Sequence, residues 1–196
     1  MSSTTMYAAP RDGSFELIAG FPNAWGSAAF IFNQLCEHYF GDRRLWEQEK
    51  GQQKLWGLAK DPRLQNFEKE VLVSTFDHIL VDRPNFNVMA MAFRLFVGRY
   101  PPNGQVCHLL GQAEIFEALA LGNSIAHGAK QLDFEPFAVG WRQTSVSDNH
   151  WWVHDDADAE DGRPYDLSRD KSHLFLYEEL DKQGSKVLDA GEDQTT

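Results

Sequence analysis

The chain is short of cysteine, of positive charge and of long apolar runs. Cys36 and Cys107 are its only two cysteines in 196 residues, too few for a disulfide framework. Lysine and arginine number 18 against 29 acids, for a formal net charge of −11. That balance excludes binding to nucleic acid through phosphates, which needs an excess of basic charge to displace counterions. No run of about eighteen apolar residues occurs, so no membrane span is expected. The opening residues, MSSTTMYAAPRDGSF, are polar and small, without the apolar stretch of a secretory signal. The expectation from these absences is a cytoplasmic protein that touches neither nucleic acid nor membrane.

Motifs that announce chemistry are missing as well. The chain has no G-x-x-x-x-G-K or G-x-G-x-x-G phosphate loop and no G-x-S-x-G elbow. Ser145, Ser147, Asp148, His150 and His154 lie close in sequence, but adjacency does not build a nucleophile–base pair; a fold must do so. Cys36, His38, Cys107 and His108 do not follow the spacings of a structural zinc site, and buried cysteines acting as small hydrophobes explain them better. His154, Asp155, Asp156 and Asp158 could face a hard cation such as Ca²⁺, yet they lack the glycine and terminal glutamate of an EF-hand loop. No cofactor, no metal and no catalytic residue is expected: the sequence reads as a non-enzyme.

What is present is a core and an uneven charge. Hydrophobic residues make up 42% of the chain and aromatics 13%, enough for one domain with a real interior. Between Asp148 and Thr196 fourteen acids face five bases, whereas the residues before them hold fifteen and thirteen. The acidity is therefore a property of the last quarter. Residues 1–13 read as a flexible leader, 14–181 as a single α+β domain with a mixed or antiparallel sheet packed with helices, and 182–196 as a disordered acidic tail.

Within the domain, Phe15–Phe21 reads as the first strand. Ala24–Phe40 reads as a helix with a stripe of Ala28, Phe32, Leu35 and Tyr39, closed by Gly41. Residues 42–66 read as a charged connection with at most a helical turn. Lys69–Phe76 is rich in β-branched residues and reads as a strand, continued or followed by His78–Val81. Asp82-Arg83-Pro84 resembles a helix start, and Asn85–Arg99 is apolar nearly all round, which predicts a deeply buried helix. Pro101-Pro102-Asn103-Gly104 is a stop, and Gln112–Leu121 reads as a short helix. Phe137–Val146 alternates like a strand, with Trp151–Val153 and His173–Tyr177 as short strands pairing with it. The core is expected to include Phe32, Leu35, Val71, Val73, Met89, Phe93, Phe96 and Trp141.

The stretch Ser147–Asp161 (SDNHWWVHDDADAED) is the strongest candidate for a binding surface. Trp151 and Trp152 directly precede Asp155, Asp156, Asp158, Glu160 and Asp161. Tryptophan is enriched at binding hot spots, and a block of carboxylates repels itself unless a basic partner meets it. If the two tryptophans lie in a strand they face opposite sides, which leaves one indole at the surface beside the acids. The competing reading puts both indoles in the core and the acids in a solvated loop.

With its size and order of elements, and through the segments WRQTSVSDNHWWV and RPYDLSRDKSHLFLYEEL, the chain resembles bacterial immunity proteins, specifically the immunity protein 52 family. That resemblance implies a cognate toxin as partner, a basic nuclease domain of restriction-endonuclease fold, whose cleft the acidic C-terminal region would cover. No binding residue carries over from the family position by position. The rival readings are a small hydrolytic enzyme using histidine and aspartate residues of the 148–170 region, and an adaptor that binds without inhibiting.

Overall fold

A computed structural model describes residues 3–22, 27–76, 79–103, 107–122, 129–144, 153–154 and 163–182. Its centre is a five-stranded sheet in the order β2-β1-β4-β3-β7. The strands are β1 (Ser3–Ala9), β2 (Glu16–Pro22), β3 (Ile79–Asp82), β4 (Ala138–Thr144) and β7 (Leu174–Phe175); a separate two-stranded ladder pairs β5 (Val153–His154) with β6 (Arg163–Pro164). Neighbours run antiparallel except β3 and β7, which are parallel. The architecture is thus a single α+β domain around a mixed sheet, as the sequence pattern predicts.

The expected leader is instead the spine of the sheet. β1 hydrogen-bonds β2 on one side and β4 on the other, with Met6 opposite Trp141 and Ala8 opposite Val139. Met6, Ala8 and Ala9 are all 0% exposed. Ser, Thr and Ala carry little apolar signal, so nothing in the sequence of residues 3–9 shows burial on both faces; position between two neighbours imposes it.

Both faces of the sheet are covered. On one, Met6, Ile18, Val81, Val139 and Trp141 meet the helices. On the other, Ala9, Leu80 and Ala138 meet Phe15, Tyr165 and Leu167. The cover on this second face is tied down by backbone hydrogen bonds from Phe15 N to Tyr165 O (2.9 Å) and from Leu167 N to Gly13 O (3.1 Å). β7 pairs with β3, not with β4 or β5 as expected from sequence, because the chain crosses this face before it reaches the sheet.

The helices are α1 (Ala28–Phe40), α2 (Gly51–Gly57), α3 (Asn66–Val73), α4 (Phe86–Arg99), α5 (Leu109–Ala120) and α6 (176–182). α1 follows its predicted stripe and ends at Gly41, whose φ of 70° is the left-handed cap and whose N–H bonds Glu37 O. The connection read as mostly irregular holds α2 and buries Leu55, Leu58, Ala59 and Leu64. Gly51 is required there: a Cβ would lie 1.8 Å from the Leu45 carbonyl oxygen.

α3 corrects the predicted strand at Lys69–Phe76. Gln65 and Glu68 form a capping box at its start, and Val71, Leu72 and Val73 are consecutively buried, which no half-buried strand allows. Capping and packing override the β preference of two valines. α4 begins after a turn in which Asn85 Nδ2 donates to Asp82 Oδ1 at 2.7 Å. It is not buried all round: Phe86, Met89, Phe93 and Phe96 face inward, whereas Val88, Met91 and Leu95 face solvent. All eight expected core residues are buried.

Candidate binding surface

Trp151, Trp152, Asp155, Asp156, Asp158, Glu160 and Asp161 lie outside the described residues, as do Ser145, Ser147, Asp148, His150 and the tail from 183. What is described is the frame of the acidic stretch. Val153 pairs with Pro164 and His154 with Arg163 in an antiparallel ladder, so His154 and Arg163 lie side by side. Tyr165, immediately after that frame, is fully buried, and its hydroxyl lies 2.9 Å from His173 Nδ1.

The described surface carries a second candidate that sequence reasoning missed. α3 and α4 pack against each other and leave a groove of about 550 Å³ between them. One wall is the outward ridge of α4, where Val88, Met91 and Leu95 are 44%, 56% and 49% exposed. The other is α3, through Phe67 and Glu70, with Gln65 and Asn66 at one end. Val88, Met91 and Leu95 recur at i, i+3 and i+7, one ridge of a helix. Three large apolar side chains exposed on successive turns are the kind of contiguous patch that marks an interaction site.

Among the described residues, Glu70 is the sole acid or base lining this groove. Burial pushes its carboxyl up from the ordinary 4.5 to about 7, and the Tyr177 hydroxyl, 3.4 Å from Oε2, opposes that shift only weakly. At that length the bond from α6 is marginal. Among the described residues no lysine or arginine forms an ion pair with Glu70. The Tyr177 hydroxyl in turn is held well above its usual pKa by its own burial and by the nearby Glu70 charge.

Glu68, two residues earlier and on another face of α3, is held by a network of donors. Glu68 is 0% exposed. Its Oε2 accepts the Tyr39 hydroxyl at 2.7 Å and the Gln65 backbone N–H at 2.8 Å. Its Oε1 accepts the Tyr100 hydroxyl and faces Arg99 Nε at 3.2 Å. Burial and the bond to Glu68 push Tyr100 up to about 12. Four donors on two oxygens leave little room for a ligand: this cluster fastens α3 to the ends of α1 and α4. The cysteines stand apart, Cys36 buried in the core and Cys107 half-buried, both thiols pushed up by burial. Among the described residues no group of three or more histidine, cysteine or acidic side chains is placed to hold a metal ion, and no helix is long and apolar enough to cross a membrane.

Compared with family models, with curated proteins and with solved structures, the chain finds no match.

Proposed function

We propose that the chain is a non-catalytic binding protein, an immunity protein that binds and neutralises a cognate toxin, a basic nuclease domain of restriction-endonuclease fold. The observation that carries the binding reading is the uncovered ridge of α4. Three large apolar side chains on one helix face cost solubility unless a partner covers them. The strong acidity of the chain, −11 overall, favours a partner of opposite charge and steers its approach. The resemblance of the 141–153 and 163–180 segments to the immunity protein 52 family supplies the toxin as that partner.

In this reading Trp151, Trp152, Asp155, Asp156, Asp158, Glu160 and Asp161 form the acidic contact with the nuclease cleft, and the α4 ridge supplies apolar anchorage. The test is co-expression with the toxin-like protein encoded beside this chain. Wild type should restore growth. Reversal of Asp155, Asp156 and Asp158 to Lys should abolish protection while the purified variant stays folded. Failure of the wild-type protein to bind or protect would overturn the immunity reading and leave the small-enzyme and adaptor readings.

A further inference from the structure

The shape and charge of the α3–α4 groove specify its occupant more closely than partner binding alone. We infer that the groove docks an amphipathic helix of the partner, whose large apolar side chains pack between Phe67 and the Val88–Met91–Leu95 ridge and whose single lysine or arginine pairs with the Glu70 carboxylate. The inference rests on the partner-binding reading above and names the chemistry that reading leaves open.

A helix fits for geometric reasons. The groove runs between two helices, so its walls offer no free strand edge to an extended peptide. The ridge from Val88 to Leu95 spans about 10 Å, or two helical turns. Side chains at i, i+3 and i+7 form the kind of row that interdigitates with the grooves of a third helix. Asn66 and Asn87 border the apolar strip and give it the polar rim usual at interfaces.

The cation follows from Glu70. Covering the groove with an apolar helix alone would force Glu70 either to stay charged without a partner or to take up a proton, a cost at neutral pH in both cases. A lysine or arginine reaching along the strip removes that penalty and supplies specificity. Tyr177, at 3.4 Å, does not compete strongly for the same oxygen.

A second copy of this chain fits less well. The cation on α4 beside the ridge, Arg94, is bound in a fork by Glu117 at 2.7 and 2.8 Å. A two-fold contact across the groove would also bring one Glu70 towards the other, on two chains that each carry a net charge of −11.

The experiment is selection of displayed amphipathic helical peptides, randomised at apolar and polar positions, against the full-length chain. Glu70→Gln and Met91→Glu serve as comparison baits. Met91 is largely exposed and Gln is isosteric with Glu, so both variants should fold, neither melting below wild type by more than about a degree or two. The expected peptides carry apolar residues at helical spacing and one Lys or Arg. They should lose at least about tenfold in affinity for Met91→Glu. Replacing their cation with norleucine should weaken binding to wild type about tenfold and leave binding to Glu70→Gln unchanged. Peptides without a cation, binding insensitive to Met91→Glu, or no enrichment over the Met91→Glu bait would overturn the proposal. So would a wild-type dimer that Met91→Glu dissociates in sedimentation. Selection reads the groove without the toxin. Failed protection beside a positive selection overturns the immunity reading alone, and protection beside a failed selection overturns the groove alone.

Discussion

Glu68 and Tyr39 meet 2.7 Å apart where the end of α1 touches the start of α3, and the carboxylate is wholly shielded from solvent. Removing the acid takes the main acceptor from the Tyr39 and Tyr100 hydroxyls and leaves a void beside them, while Arg99, partly exposed, keeps its contact with the Tyr100 hydroxyl. Glu68→Ala should therefore cost about 2–4 kcal/mol in urea unfolding, from the lost acceptor and the void. Tyr39→Phe, which removes one of the four donors, should cost about 1–2 kcal/mol. A cost under about 1 kcal/mol for Glu68→Ala would show that water readily replaces these contacts.

Glu70 predicts a pH effect. Its folded pKa is raised by burial from 4.5 to about 7, so the folded state holds a proton that the unfolded state has released. The associated stability is fully present below pH 4.5 and is lost as pH rises through about 7. With solvent at the groove mouth, the loss should be about 1–2 kcal/mol. Glu70→Gln should match wild type near pH 4.5 and exceed it by that amount at pH 8. The measurement is urea unfolding of both proteins at the two pH values. A Gln variant less stable than wild type at pH 8 would mean that the carboxylate is paired in the folded chain.

Trp141 Nε1 donates to Gln112 Oε1 at 2.8 Å, and Gln112 Nε2 donates to Ser27 Oγ at 3.0 Å. This buried chain of bonds ties β4 to α5 and to the start of α1. Trp141→Phe removes the indole donor and leaves ring volume unfilled, so thermal unfolding should record a loss of about 2–4 kcal/mol. Adding Gln112→Leu to Trp141→Phe should recover part of that loss, since the amide then no longer needs a partner. Strictly additive losses would show that the two side chains act independently.

How much was legible in the sequence depended on whether a residue's own periodicity decided its fate. α1 and β4 could be read because Phe32 and Leu35 repeat at helical spacing and Val139 and Trp141 alternate. α3 was hidden because Val71 and Val73 look like a strand, and its cap is Gln65, outside the usual capping residues. The groove was hidden for another reason. In α4 only Asn87 and Arg94 mark the outward face, a thin signal among so many apolar residues that Met91 and Leu95 lie outside while Met89 and Phe93 are covered; the packing of α3 and α5 decides that. The Trp151–Asp161 candidate remains a reading of residue type and spacing, framed by the β5–β6 ladder.

β1 gives the sharpest contrast between sequence and fold. A flexible leader could be removed without consequence, whereas Ser3–Ala9 supplies hydrogen bonds to both β2 and β4 and seats Met6 among the helices. Deleting residues 1–9 would expose the facing edges of two strands and open the core beneath Trp141. The truncated chain should fail to show a cooperative thermal transition. Since aggregation alone could mimic that result, Met6→Ala is the graded version. It removes a side chain that is 0% exposed and should cost about 2–5 kcal/mol, with the loss read by urea unfolding. Thr5→Ala probes the same strand without deleting a large core side chain, and should cost well under the Met6 variant. A truncated chain that melts cooperatively at the wild-type temperature would show that β1 is dispensable and that β2 and β4 can close the sheet without it.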